Sequence, residues 1–279
     1  MLFRSNITAV GLRLNAGTEV GATGNHVETT VGTVSARAAN GGIYLRETDA
    51  LIVGDVSVTI SKVDSAAAVS TVTDATQSDV MTTGGNGNVV IRSTGGNITL
   101  NDGTAGGTTG LAVSANGSGN VLIEAIRNDT DITANTDVVS ASGHITVQAG
   151  QSVIFAANAD IRTGTTGTID VEAGTGSITM DATSLYTTGT GDIRMLAAQT
   201  ITVGDVSTGG NASLTATAGS ILDADSAVGA DDTNLNITAV GLRLNAGTAV
   251  GATGNHVETT VGTVSARAAN GGIYLRETD

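Results

Sequence analysis

Short segments of the pattern glycine, any residue, aliphatic, any residue, aliphatic recur along this chain. Within each segment apolar and polar residues alternate, which is typical of a β-strand with two different faces, whereas an amphipathic helix would space its apolar residues three and four apart. The chain is therefore predicted to be all-β. The first aliphatic residues of four consecutive segments stand 24 residues apart, in GNVLIEA from 119, GHITVQA from 143, GTIDVEA from 167 and GDIRMLA from 191.

Each 24-residue unit contains three apolar stretches separated by turn residues, as around Ile145, Ile154 and Ile161. One coil of three strands cannot bury its apolar side alone, but coils stacked about 4.8 Å apart form a continuous core. The sequence therefore predicts a single-stranded parallel β-helix (β-solenoid), with three short strands per coil of about 24 residues. A glycine precedes the strand by two residues in six of eight segments, which we expect to mark a tight corner with an unusual φ angle.

The eight segments are predicted to stack in register, although the spacing between them varies. The 46-residue step from Ile43 to Val89 fits two units, and the 32-residue step from Val89 to Val121 fits one unit with the Gly-rich insertion at 101–110. One large period would then hold about nine units. The inward positions are expected to be Ile43, Val89, Val121, Ile145, Ile169, Ile193, Leu214 and Ile237, with Leu45, Ile91, Ile123, Val147, Val171, Met195, Ala216 and Ala239 two residues further on.

A second, longer repeat divides the chain. Residues 6–49 return at 236–279 with one change, Glu19 to Ala249, so that 6–235 is one complete 230-residue period and 236–279 begins another. We expect both to belong to one elongated domain. Residues 1–5, MLFRS, do not match DDTNL at 231–235, and LFRS is the translation of a sequencing-adapter end, CTCTTCCGATCT. Residues 1–5 are therefore predicted to be a non-native or artefactual start.

Through the GNVLIEA, GHITVQAG and GGIYLRE segments and the long tandem repeat, residues 6–279 resemble the repeat regions of filamentous-haemagglutinin-like giant bacterial surface adhesins. The resemblance implies a right-handed parallel β-helical shaft that is secreted and stays extracellular or on the outer-membrane-associated cell surface. It also implies a role in mechanical extension and presentation for cell adhesion, with a host-cell, matrix or glycan surface as partner. Neither enzymatic activity nor a cofactor is expected.

Composition narrows the other classes of partner. The 279 residues include no Cys, which excludes a disulfide framework and cysteine-based zinc sites. The 12 Lys and Arg residues are scattered among 26 Asp and Glu residues, so nucleic acid is not an expected partner. No apolar run is long enough for a membrane-spanning helix. Aromatic residues make up 2% of the chain, which predicts a narrow core of small aliphatic side chains.

Asp170 and Glu172 are the most suggestive pair of acids. With Ile169 and Val171 facing inward, both acids face outward about 6.6–6.8 Å apart, a separation that inverting glycosidases also use. The adjacent coils favour a structural interpretation, because they place arginines in the same columns. We therefore assign no catalytic, cofactor-binding or metal-binding residue. Two exposed ion pairs between coils are predicted, Asp170 with Arg194 and Glu124 with Arg92.

A β-helical polysaccharide lyase or hydrolase is the enzymatic alternative. Such a site would need clustered Asp, Arg or Lys with aromatic platforms, but the only lysine is Lys62 and aromatic residues are few. Tyr44 and Tyr274 share one repeat position, so one exposed Tyr per period is a candidate partner contact, but a solvated residue beside a turn is the preferred interpretation. His26, His256 and His144 lack the spacing of metal ligands. We expect His144 to be a surface turn residue in the slot of Asn88, Asn120, Thr168 and Asp192.

Three further possibilities stay open. TGGNGNVV at 83–90 resembles the calcium-binding nonapeptide of type-I-secreted repeat proteins but lacks its Asp. Weak binding of divalent cations at the acidic stretch DADSAVGADD, 223–232, stays an alternative. The loops at 21–30 and 101–110 are candidate contacts with a partner. Uncapped coil edges predict end-to-end self-association, besides contacts between neighbouring repeats of the chain. An ice-binding face would need two flat Thr columns, and the sequence offers Thr99, Thr133, Thr179 and Thr202 beside a mixed column of Asn97, Asp131, Ser177 and Thr200.

Overall fold

A computed structural model of the protein describes residues 5–105, 110–225 and 234–278. These residues contain 27 strands and no helix, and hence no helix that could cross a membrane. The strands are β1 (Ile7–Ala16), β2 (Val27–Ala38), β3 (Ile43–Glu47), β4 (Leu51–Val53), β5 (Val56–Val63), β6 (Val69–Gln77), β7 (Val80–Thr82), β8 (Val89–Ser93), β9 (Ile98–Leu100), β10 (Leu111–Ala115), β11 (Val121–Ala125), β12 (Ile132–Ala134), β13 (Asp137–Ser140), β14 (Ile145–Ala149), β15 (Val153–Phe155), β16 (Ile161–Arg162), β17 (Ile169–Ala173), β18 (Ile178–Met180), β19 (Leu185–Thr187), β20 (Ile193–Ala197), β21 (Ile201–Val203), β22 (Asp205–Ser207), β23 (Asn211–Ala216), β24 (Ile221–Asp223), β25 (Ile237–Ala246), β26 (Val257–Ala268) and β27 (Leu275–Glu277).

Twenty-five of the strands form one continuous parallel sheet that winds around the core. Each strand pairs with its counterparts in the preceding and following coils, which confirms the all-β parallel β-solenoid. The right-handed sense stays a prediction. Three faces run along the axis: β3, β8, β11, β14, β17, β20 and β23 form face 1, β4, β9, β12, β15, β18, β21 and β24 form face 2, and β7, β10, β13, β16, β19 and β22 form face 3.

The inward column of face 1 is in the predicted register for six coils, from Ile43 and Val89 to Ile193. The prediction fails at the last two positions. Ile193 pairs with Ala212, so Leu214 aligns with Met195, two residues further along the strand. Ile237 lies on another face, where it pairs with Val206. The coil before β23 is shortened mainly between β21 and β22, which are separated by one residue, whereas four residues separate β18 from β19 in the preceding coil. This length change is not visible in the alternation of β23 itself.

The long step between Ile43 and Val89 is one coil, because these two residues pair directly. The additional residues form an antiparallel hairpin, β5 with β6, which leaves the coil between faces 2 and 3. The prediction of two units here is therefore wrong, and so is the total of about nine. Face 1 makes eight steps from Ile43 to Val264. The hairpin strands alternate like coil strands, and alternation carries no information about the direction of pairing.

The core is narrow and mostly aliphatic, as the composition predicts. Its two largest fully buried side chains are Tyr186 of β19 and Phe155 of β15. Their rings meet edge to face with centroids 5.1 Å apart. Aromatic pairs in this arrangement contribute about 0.5–1.5 kcal/mol beyond the area they bury. This pair therefore fills the middle of the solenoid, where the other inward residues are Ile, Val, Leu, Met and Ala.

A column of glycines stands at the corner before face 1. A Cβ atom on Gly143 would lie 2.2 Å from the carbonyl oxygen of Gly119, and one on Gly167 would lie 2.4 Å from that of Gly143. Neither glycine has a φ angle in the left-handed region. The expectation of unusual φ at these corners is therefore wrong. The glycines are required because the backbone of one coil lies directly against the next.

The two copies of the 44-residue repeat stack on different faces. Inside each copy the pairing is the same, since Leu12 pairs with Val34 and Leu242 pairs with Val264. The next partners differ, because Val34 pairs with Val53 of face 2, whereas Leu242 pairs with Ala212 of face 1. The 230-residue period therefore makes more than eight but fewer than nine turns.

Candidate functional site

Asp170, Glu172 and Arg194 form a cluster on the outer surface of face 1. The Arg194 guanidinium donates to Oδ1 of Asp170 at 2.7 Å and to Oε1 of Glu172 at 2.5 Å. The pairing of Asp170 with Arg194 is thus confirmed, and Glu172 joins it. Arg92 and Glu124 also form the predicted ion pair. Both carboxylates bind the same guanidinium, an arrangement that suits an ion pair between neighbouring coils better than general-acid chemistry.

Burial complicates the electrostatics of this cluster. It raises the pKa of Asp170, an effect that Arg194 opposes and the nearby Glu172 reinforces. The hydrogen bond to Glu172 raises the pKa of Arg194, so the guanidinium stays charged. Glu172 lines a shallow depression of about 270 Å³ with Gln148 and Leu196, and Asp170 does not line it. The two acids therefore do not face one cleft, as paired catalytic carboxylates would.

Replacing Arg194 by Gln is expected to lower the free energy of unfolding by less than about 1 kcal/mol, because exposed ion pairs are screened by solvent. The effect should shrink further at high salt. Urea unfolding at low and high ionic strength measures both. Arg127→Gln is a matched control, because Arg127 pairs only locally with Asp129. A loss of several kcal/mol for Arg194→Gln alone would contradict the screened ion pair.

A ladder of polar side chains crosses the coils at the start of face 1. The side-chain oxygen of Asn88 accepts from the backbone N–H of Asn120, and that of Asn120 accepts from the N–H of His144, both at 2.8 Å. Nδ1 of His144 accepts from the N–H of Thr168 at 3.2 Å. In the neutral ring the proton is therefore on Nε2. His144 lies in the predicted slot, where it binds one coil to the next.

A second ladder stands at the start of face 2. Oδ1 of Asn97 accepts from the N–H of Asp131, and Oδ1 of Asp131 accepts from that of Ser152, both at 2.9 Å. The threonine column beside it is interrupted, because Ile154 pairs with Thr133 on one side and Thr179 on the other. Ile154 faces outward, and its neighbour Val153 is the buried residue of this strand. A flat, two-column threonine array is thus not formed here.

Glu47 is a buried carboxylate that the sequence analysis missed. Its Oε2 accepts from the hydroxyl of Thr29 at 2.7 Å and from the N–H of Val31 at 3.1 Å, and its Oε1 accepts from the N–H of Thr48 at 2.8 Å. Burial raises its pKa, and these hydrogen bonds oppose the rise. The available signal was alternation: Glu47 follows Ile43 and Leu45 on the inward side. Glu277 repeats the contact with Thr259 in the second copy.

A groove of about 430 Å³ crosses the outer surface of face 1 beside a projecting loop. The loop, residues 21–26, is closed by reciprocal backbone hydrogen bonds between Ala22 and Asn25 at 3.0 Å. We call this depression the face-1 groove. Its floor is apolar and its rim carries amide, hydroxyl and imidazole groups, a combination common in binding sites. The lining residues are Thr23, Tyr44, Asn88, Val90, Asn120, Val121, Leu122, His144 and Thr146.

Tyr44 is less exposed than its repeat position suggested. Only 8% of the residue is accessible, because His26 packs against its ring with centroids 5.8 Å apart. Its hydroxyl accepts from the side-chain amide of Asn88 at 3.3 Å. On the other side of the loop, Arg46 and Arg92 line a smaller pocket of about 170 Å³ with Glu28 and His26. The loop thus separates an apolar groove from a charged pocket.

The remaining candidate regions are only partly described. No group of three or more His, Cys, Asp or Glu side chains within 5–105, 110–225 and 234–278 is placed to hold a metal ion. The stretch 226–232 of the acidic segment, residues 106–109 of the Gly-rich loop and residues 1–4 lie outside the described residues. The described part of that loop is anchored, because the N–H of Thr104 donates to Oδ1 of Asp55 at 2.9 Å.

Comparison of the chain with protein-family models, curated proteins and solved structures gives no significant match. Function is therefore inferred from the repeat and from the geometry of the faces. Polar groups that looked chemically suggestive in the sequence connect neighbouring coils, as Asp170 and His144 do. The face-1 groove is the candidate binding site, because it combines an apolar floor, a polar rim and a projecting loop.

Proposed function

We propose that this protein is a structural shaft segment of a large secreted or cell-surface bacterial adhesin, which gives extension and presentation for cell adhesion. The observation that carries the proposal is the unbroken parallel ladder from β1 to β27. Along it, each coil pairs only with its neighbours, so length grows in proportion to the number of coils. Eleven strand levels at a spacing of about 4.8 Å correspond to a rod roughly 48 Å long.

The second copy of the repeat supports a role in extension. Its strand β25 continues the ladder by pairing with β23 over six residues, from Asn211 with Gly241 to Ala216 with Ala246. A duplicated segment is therefore accommodated as additional length and needs no new type of contact. This behaviour suits a shaft, in which distance from the cell is the property that matters.

The face-1 groove and the loop 21–26 supply a surface for the adhesive contact. A polymer lying across face 1 would meet the apolar side chains of Val90 and Leu122, the amides at the rim, and Arg46 and Arg92 beyond the loop. Apolar ring faces, hydroxyls and acidic groups of a glycan are matched by these three kinds of side chain. A glycan or glycan-bearing matrix surface is therefore the proposed partner.

A binding screen on immobilised glycans and matrix proteins tests this function. Leu122→Glu places a charge on the apolar floor and is expected to weaken surface binding by about tenfold or more, since one desolvated charge costs well over 1.4 kcal/mol. Thr133→Glu is the matched control, because it adds the same charge at an outward position of face 2. Its binding should equal that of the unaltered chain.

The same purified variants distinguish the adhesin from the alternative, a polysaccharide-cleaving enzyme. A polysaccharide lyase or hydrolase would release reducing sugar from polymeric glycans, which a shaft would not do. Equal binding by Leu122→Glu and Thr133→Glu would refute the groove as the contact surface. Release of reducing ends that Glu172→Gln abolishes would overturn the adhesin assignment in favour of the enzyme. Circular dichroism of each variant confirms that the solenoid is retained.

A further inference from the structure

A second groove follows the corner at which the chain passes from face 1 to face 2, and we call it the corner groove. It consists of two adjoining depressions of about 450 Å³ and about 270 Å³, which share Gln148 and Gly174. Its lining extends from β11 past β14, β17 and β20 to Thr217, directly after β23. Four coil spacings make it about 19 Å long. The corner groove therefore runs along the axis, in the middle of the described solenoid.

One wall of the corner groove is a turn that is longer than its counterparts. Six residues separate β11 from β12, whereas three separate β14 from β15 and four separate β17 from β18. The hydroxyl of Thr130 closes this turn by donating to the carbonyl oxygen of Arg127 at 2.6 Å. Two coils further on, the hydroxyl of Thr175 donates to the carbonyl oxygen of Asn128 at 2.9 Å. The wall is thus held in place by hydrogen bonds within the turn and to another coil.

The floor of the corner groove is backbone, because glycines stand at the corner beside that turn. A Cβ atom on Gly150 would clash with the carbonyl oxygen of Arg127, and one on Gly174 would lie 2.7 Å from the carbonyl oxygen of Gly150. A side chain at either position would have to push the neighbouring coil away. The space between the turn and the outer surface of face 1 therefore stays open.

The opposite wall is an outward column of face 1, in which Glu124, Gln148 and Glu172 align across β11, β14 and β17. Arg92 neutralises Glu124. Arg194 does the same for Glu172. Between them Gln148 is exposed, and its side-chain amide makes no hydrogen bond to the described residues. The column thus offers one free amide between two carboxylates whose charges are already paired.

Apolar side chains lie on either side of this amide along the groove. Ile126, in the long turn, is 41% exposed. Leu196 lines the groove two coils beyond Gln148. Apolar surface interrupted by amide and hydroxyl groups suits a sugar polymer, whose rings have apolar faces and whose hydroxyls both donate and accept.

The groove disfavours other kinds of extended ligand. A cationic ligand would compete with the arginines for their carboxylates, and an anionic ligand would approach two carboxylates, so both would meet a desolvation cost. A peptide could not add to the sheet here, because such addition needs an unpaired strand edge. The strands β11, β14, β17 and β20 are each paired on both sides.

We propose that the corner groove is a binding site for an uncharged linear polysaccharide, which lies along the axis with its ring faces on Ile126 and Leu196 and its hydroxyls on Gln148. The amide of Asn128 and the hydroxyl of Thr217 supply polar contacts toward the two ends. The proposal rests on the proposed adhesive function in the class of its partner. It assigns that partner a separate surface, since the corner groove and the face-1 groove share no lining residue in the described part of the chain.

Matched glutamine substitutions test the site in the full chain. The probes are cellohexaose, xylohexaose and mannohexaose, titrated by calorimetry, and we expect at least one of them to bind. Gln148→Glu keeps the side-chain size but removes the N–H donors and adds a charge, so affinity should fall by about tenfold. Gln151→Glu makes the same change at an exposed position outside both grooves and should bind like the unaltered chain. Leu122→Glu, in the face-1 groove, should also leave hexasaccharide binding unchanged.

Fluorescence gives a second measurement that does not depend on an added charge. The chain has no Trp, so Leu196→Trp places a single indole in the corner groove. Its emission should shift when the hexasaccharide binds, because the sugar ring covers the indole face. Ile154→Trp, on the outer surface of face 2, is the matched control and should show no shift. Affinity should change by less than about twofold between low and high salt, since the ligand carries no charge.

Four results would overturn the proposal. Equal affinities of Gln148→Glu and Gln151→Glu, or no binding of any hexasaccharide, would refute the site. A polyuronate that binds more tightly and responds to Gln148→Glu would refute the uncharged class. Matrix-protein peptides that respond to this substitution in place of the sugars would replace the glycan by a protein partner. The response of surface binding to Leu122→Glu is measured separately, so the proposed adhesive role stands or fails independently of the corner groove.

Discussion

Gly143→Ala is expected to destabilise the solenoid by about 3 kcal/mol, the upper range for overpacking a close-packed site. The new methyl carbon would lie 2.2 Å from the carbonyl oxygen of Gly119, a backbone atom that cannot rotate away. The coils on both sides would have to separate locally, which stretches the hydrogen bonds of face 1. The midpoint of urea unfolding, followed by circular dichroism, measures the loss.

Gly17→Ala is the matched control for this substitution. A Cβ atom at Gly17 would have nothing within 4 Å, and its φ angle lies outside the left-handed region. Alanine there is expected to leave stability within about 0.5 kcal/mol of the unaltered chain or to raise it slightly, since it restricts the unfolded state. Equal destabilisation by the two substitutions would contradict the close-approach explanation of the glycine column.

Phe155→Ala is expected to lower the free energy of unfolding by about 3–5 kcal/mol, as for other large-to-small changes in a core. Phe155 is completely buried, and the aliphatic core around it has no second large ring besides Tyr186 to fill the space. Ile154→Ala is the matched control one residue away, because Ile154 is 36% exposed on the outer surface. Its loss should stay below about 1 kcal/mol.

Tyr186→Phe separates packing from hydrogen bonding in the same pair. The hydroxyl of Tyr186 is buried without a hydrogen-bond partner in the described structure, and burial raises its pKa well above the usual value. Removing that oxygen keeps the ring contact and is expected to stabilise the protein by about 1 kcal/mol. Destabilisation of similar size would mean that the hydroxyl is satisfied. Urea unfolding of all three variants under one condition gives the comparison.

The columns of aligned side chains on face 1 could be predicted from the sequence. There the alternation of apolar and polar residues within each strand coincides with a regular spacing between strands. Once the apolar residues of two segments face inward, stacking at a fixed distance aligns every intervening residue, including Asp170 with Arg194. The same logic located His144 in its slot. The ion pairs and the polar ladder of Asn88, Asn120 and His144 follow from the strand register alone, so their positions could be predicted from the sequence.

Other features depend on interactions that alternation does not encode. The antiparallel pairing of β5 with β6 is decided by a tight turn after Val63, where Asp64 accepts from the N–H of Ala66 at 2.8 Å. The burial of Glu47 depends on donors from the preceding coil, including Thr29. Likewise, the lack of space at Gly143 comes from another coil's backbone and not from its own φ angle.

The fractional number of turns in the repeat has a consequence for the loop at 21–26. Because a period ends partway around the axis, the copy at 251–256 points in another direction from the first. Additional periods would display these loops as a spiral staircase around the rod, whereas a whole number of turns would set them in a single row. A rod that carries identical loops in a spiral presents some of them on every side. It can therefore contact a flat surface whatever its rotation about its own long axis.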